Sequence, residues 1–136
     1  SLMQSTVLTA LAEVPVKDNW DAMISAALQA FFEFVEDPIT ARVVWLEVLG
    51  VSPLIDQRYE ASQQFFVDFL QQLTQLNFPN WITDETRAKL VSRAVVSAVN
   101  GSAMSWLLSN YREPREEVIE ALKIVFNGLT LQAKQA

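Results

Sequence analysis

Three of the five prolines stand behind a polar or acidic residue at the head of a long run: Asp37-Pro38, Ser52-Pro53 and Glu113-Pro114. Proline lacks the N–H that a first helical turn would leave unpaired, and it pushes the preceding residue out of the helical region, so each pair marks a helix start. The runs that follow are rich in leucine, alanine, valine and glutamine, and the whole chain holds only three glycines. Such punctuation leaves an all-helical fold as the expectation. Asp18 ahead of Trp20 and Thr83 ahead of Asp84 read as side-chain caps, and Gly50 as a stop. Six helices are expected, near 3–13, 19–36, 38–49, 53–77, 84–111 and 114–131, forming one helical bundle from 136 residues. A chain of this length buries roughly two-thirds of the surface it exposes when unfolded, so a true core is expected.

The helices differ in how far around the axis their apolar residues reach. Over 19–36, Trp20, Met23, Ile24, Ala27, Leu28, Phe31, Phe34 and Val35 share one side, opposite Ala22, Gln29, Glu33 and Glu36, as in a one-sided surface helix. The 38–49 segment is apolar around most of its circumference and is expected inside the bundle. Over 53–77, Leu54, Ile55, Tyr59, Phe65, Phe66, Phe69, Leu70, Leu73 and Leu76 form a broad arc into which Arg58 and Ser62 also fall. Arg58 either snorkels to water along its stem or pairs with a ligand carboxylate or phosphate.

Within 84–111 lies Asn100-Gly101, a pair that usually signals a turn. Here the helical spacing continues through it. Ala94, Ala98, Gly101, Ser102, Ser105 and Ser109 form a stripe of small residues, while Val95, Val96, Val99, Trp106 and Leu107 fill the other side. A small stripe admits a neighbouring backbone, which compensates the ~1 kcal/mol that glycine costs relative to alanine inside a helix. Gly101 is therefore read as a packing residue. Asn100, at the edge of the large side, either bonds a neighbouring group or anchors a ligand in an apolar pocket. The last helix carries Val118, Ile119, Ala121, Leu122, Val125, Phe126 and Leu129, an apolar set wider than one neighbour requires.

Composition narrows the functions open to this chain. There is no cysteine and no histidine, which removes disulfides, thiolate chemistry, the usual general base and the commonest metal ligand. The acidic groups Glu116, Glu117 and Glu120 read as a solvated face near a helix start, and no bundle-type metal motif is present. No catalytic residue, metal site or cofactor is expected. At net charge −6, with no basic cluster, these residues are not expected to bind nucleic acid by themselves. The longest charge-free window, 94–111, is shorter than the ~20 apolar residues that span a bilayer and holds four serines and two asparagines. Neither a membrane segment nor a signal peptide is expected. Ser1-Leu2 ahead of Met3 reads as a cloning remnant on an excised fragment.

The order of these elements, in "FFEFVEDPITARVVWLEVLG", "SPLIDQRYEASQQFF", "LVSRAVVSAVNGSAMSWLLSN" and "PREEVIEALKIVFNGL", resembles the C-terminal ligand-sensing and dimerising half of TetR-family transcriptional regulators. The resemblance covers essentially the whole chain and rests on pattern. It implies a cytoplasmic homodimer whose last two helices pair with their copies in a four-helix interface. Ala94, Ala98, Gly101, Ser102, Ser105, Ser109, Val118, Ala121, Leu122, Val125 and Leu129 would form that interface. It also implies a small-molecule effector in a cavity among the central helices. Trp20, Met23, Phe31, Phe34, Trp45, Leu49, Arg58, Tyr59, Ser62, Phe66, Phe69, Val96, Asn100 and Met104 would line the cavity. The family's basic helix-turn-helix does not precede residue 3, so operator DNA would be reached only through a missing N-terminal domain. The alternative from another class is a stand-alone dimeric small-molecule-binding or adaptor protein with no role on DNA.

Overall fold

The computed structural model describes residues 2–14, 20–39 and 53–136, and for residues 2, 53–56, 58 and 59 the helical backbone alone. Among the described residues there are five helices and no strand: α1 Leu2–Ala12, α2 Trp20–Val35, α3 Pro53–Asn77, α4 Glu85–Leu108 and α5 Arg115–Lys134. Pro53 opens α3 as its position demands, and Asp37 accepts from the Ile39 amide at 3.2 Å ahead of the helical residues 38–39. The helix expected over 38–49 otherwise lies outside the described residues, as do Asp18 and Gly50.

Two helix pairs build the body. α1 packs along α2, α3 packs along α4, and α5 closes on α2 with lesser contact to α4. From α1, Met3, Val7 and Leu11 enter the core at helical spacing, and Val14 follows them just past the end of the helix. The one-sided α2 expected from spacing is corrected: Ala30 and Phe32, off the expected side, are buried as well, Phe32 with 0% exposure. α1 covers one side of α2 while α5 and α4 cover others, so α2 is the central helix of the described bundle. The α3 arc is also corrected at its end, where Leu76 is 79% exposed. Phe78 closes that end instead, its ring 5.4 Å from Trp20 and 6.5 Å from Trp81.

Two caps fall one residue from their expected places. Asp84, not Thr83, caps α4 by accepting from the Thr86 amide at 3.2 Å, and Pro114 precedes the first residue of α5, with extended ψ of 146°. Proline fixes φ and leaves ψ free, so it serves either position.

α4 stops at Leu108 rather than 111 because the chain turns left-handed. Asn110 and Tyr111 have φ of 59° and 58°. The Asn110 amide donates to the Leu107 carbonyl at 3.0 Å and the Tyr111 amide to the Trp106 carbonyl at 2.9 Å, the paired bonds of a Schellman ending. The apolar contact that usually accompanies it is Tyr111 edge-on to Trp106, ring centroids 4.8 Å apart. A left-handed tyrosine costs roughly 1–2 kcal/mol. Its hydroxyl donates to the Val35 carbonyl at 3.0 Å, and the Trp106 indole donates to the Glu113 carbonyl at 2.8 Å, so the turn is held against the end of α2. Arg115 adds an ion pair to Glu36 at 2.6 Å. Asparagine tolerates this conformation better than other side chains do. Asn110→Ala should therefore lower stability by about 1 kcal/mol while Asn110→Gly should not, as read from denaturant midpoints.

Candidate ligand cavity and outward helix faces

Between the two helix pairs the packing leaves a cavity of about 120 Å³. The α1–α2 pair supplies Val7, Leu11, Met23, Ile24, Ala27, Leu28 and Phe31; α3 supplies Phe66, Phe69, Leu70 and Leu73; α4 supplies Val95, Val96, Val99 and Asn100; and Phe126 comes from α5. Among these described residues Asn100 is the only polar one. The space is half-open, and its almost wholly apolar lining suits the apolar part of a small molecule, such as a ring or a short alkyl group. Val96 and Asn100 are one turn apart on α4, and Met23, Ala27 and Phe31 succeed one another at one-turn spacing on α2, which is how two helices wall one space.

Six of the residues expected at a ligand site meet here: Met23, Phe31, Phe66, Phe69, Val96 and Asn100. Trp20 does not. Its indole donates to Thr130 Oγ1 at 3.1 Å, and it borders a smaller void of about 30 Å³ beside Phe78 and Trp81. Phe34 and Met104 pack against the core away from the cavity lining, and half-buried Ser62 is not in the lining. Trp45 and Leu49 lie outside the described residues, as do the side chains of Arg58 and Tyr59. The spacing pointed to Asn100 through its place at the edge of the apolar side of α4. It passed over Val7 and Leu11, although their one-turn interval was available as a signal.

α4 and α5 each turn a second stripe away from the core. On α4, Ala94, Ala98, Gly101 and Ser105 are exposed together with Leu90 and Leu108; Ser102 and Ser109 are half-buried. On α5 the exposed stripe is Ala121, Ile124, Val125, Gly128 and Leu131, with Ile124 at 73% and Leu131 at 64% exposure. Among the described residues, a Cβ placed on Gly101 or Gly128 would meet no atom of another element within 4 Å. The close neighbour that Gly101 was expected to admit is thus not among the described residues of its own chain. Leu122 packs into the chain's own core, and Val118 and Leu129 lie half-buried against it, so the outward stripe of α5 is rotated from the set expected. Of the expected interface set Ala121 and Val125 do lie on this outward stripe, and Ile124, Gly128 and Leu131 belong to it as well.

Among the described residues, no group of three or more carboxylates gathers as a metal site, and no helix is long and apolar enough to cross a membrane. No protein-family model matches the sequence, and no curated protein shows significant similarity to it.

Proposed function

We propose that this chain is the effector-sensing and dimerising domain of a TetR-like transcriptional repressor, acting by binding rather than by catalysis. The observation that carries this reading is the apolar cavity walled by both helix pairs with one amide in its lining. Convergence of large apolar side chains on a single polar group is the usual form of a small-molecule site. A ligand held between α2 and the α3–α4 pair fits one spacing of those helices better than another, and that difference in fit is what shifts the population of states. The outward stripes of α4 and α5 support the second part, a homodimer built on the last two helices. Operator DNA is contacted by a helix-turn-helix outside this sequence, consistent with a net charge of −6 here.

Two measurements test the reading. Propylbenzene should raise the melting temperature of the chain, since anything that binds only the folded state stabilises it by mass action. Val99→Phe, which fills the cavity, should abolish that rise with the helical circular dichroism retained. The protein isolated from its native cells should retain genomic DNA fragments on a filter and release them with its effector. A native protein that retains no DNA would overturn the repressor assignment and leave a dimeric small-molecule-binding protein.

A further inference from the structure

Asn100 borders two spaces. On the inner side of the α3–α4 pair it lines the apolar cavity; on the other side it lines a polar cleft of about 260 Å³. Along α4, Val96 and Val99 face the cavity, while Arg93 and Ser97 face the cleft. Asn100 sits one turn from both Val96 and Ser97, which places its amide at the boundary. Among the described residues no hydrogen bond engages that amide.

We propose that the ligand has an apolar body the size of one ring or a short alkyl chain and an uncharged hydrogen-bonding head, and that the head reaches past Asn100 into this cleft. The inference rests on the cavity being the effector site and adds the chemical class of its ligand. Cavity volume sets the body. The cleft sets the head. Arg93 donates to Gln64 Oε1 at 3.2 Å, and Gln64 Nε2 donates to Asp68 Oδ1 at 2.8 Å. That second bond turns the Gln64 amide so that its oxygen meets the guanidinium. Glu60 shares the wall one turn before Gln64, and its charge opposes that of Arg93. The cleft carries one charge of each sign, so a charged head is drawn to one wall and repelled by the other, while the Arg93 guanidinium is already engaged by Gln64. A carboxamide or hydroxyl finds both donors and acceptors, with Asn100 able to pair with it in both senses.

Calorimetric titration of the chain with propylbenzene, hydrocinnamamide, hydrocinnamyl alcohol and hydrocinnamate tests this. The amide and the alcohol should bind about tenfold more tightly than propylbenzene, the gain of one or two well-placed neutral hydrogen bonds. Hydrocinnamate should bind more weakly than the amide, and Glu60→Gln should narrow that gap. Asn100→Leu and Asn100→Ala should each remove the amide's advantage while leaving propylbenzene bound. Equal affinity for propylbenzene and the amide, or tightest binding of the carboxylate, would overturn the uncharged head and leave the cavity as an effector site. Failure of all four compounds to bind would overturn the effector site and the head together.

Discussion

Phe32→Ala should lower the unfolding free energy by about 3–5 kcal/mol, the range for deleting a buried aromatic ring. Phe32 has 0% exposure and stands edge-on to Phe31 at 5.3 Å and to Trp106 at 5.8 Å, so it joins α2 to α4. Alanine there loses the transfer energy of the ring and leaves a void that the surrounding helices close only in part. For a chain between the small and the middle size classes, this loss corresponds to a melting temperature lower by about 10–20 °C. Leu76→Ala is the control, since an exposed leucine at the end of α3 should change stability by less than about 0.5 kcal/mol. Equal effects of the two substitutions in scanning calorimetry would show that the α2–α4 junction is not formed as described.

Gly101→Leu and Gly128→Leu should each act with opposite sign on folding and on association. Among the described residues of one chain a new side chain at either position meets open space, because none of their atoms beyond the helix's own backbone and the adjoining residues lies within 4 Å of the added Cβ. Leucine also favours helix over glycine by up to about 1 kcal/mol, so the isolated chain should become slightly more stable. If the outward stripes of α4 and α5 meet their copies in a dimer, the same leucines hold the helices apart. Sedimentation should then show dissociation at concentrations about a hundredfold higher than for the unaltered chain, a loss of about 3 kcal/mol. Gly101→Ala separates the two effects, because it supplies most of the helix gain with far less bulk. A sedimentation profile unchanged by both leucines would remove α4 and α5 from any dimer interface. A fall in monomer stability would instead show a neighbour close to the glycines.

The helices were legible where local rules act without competition. Proline placement located the start of α3 to the residue and that of α5 to within one, and the continuous spacing through Asn100-Gly101 identified that pair as helical. The end of α4 was not legible, since asparagine followed by tyrosine carries no stop signal comparable to glycine; the left-handed turn depends on Trp106 and Val35, partners that spacing along one helix does not reveal. The side assigned to α2 erred for a related reason. A helix enclosed by three neighbours buries residues that a one-sided reading assigns to water, as with Ala30 and Phe32. For the cavity, Asn100 was visible as a polar residue at the edge of an apolar side. For Val7 and Leu11, which share the lining, the one-turn interval marks an apolar side of α1, but that this side meets the cavity depends on α1 lying along α2, a tertiary fact.

The attachments of α2 to α5 carry a mechanical consequence. At its first residue, Trp20 is tied to Thr130; just past its last, Glu36 is tied to Arg115. The helix is sixteen residues, a rod about 24 Å long. Met23, Ala27 and Phe31, which line the cavity, lie between these two attachments, so the helix that walls the cavity is the same one that is joined to α5 near both of that helix's ends.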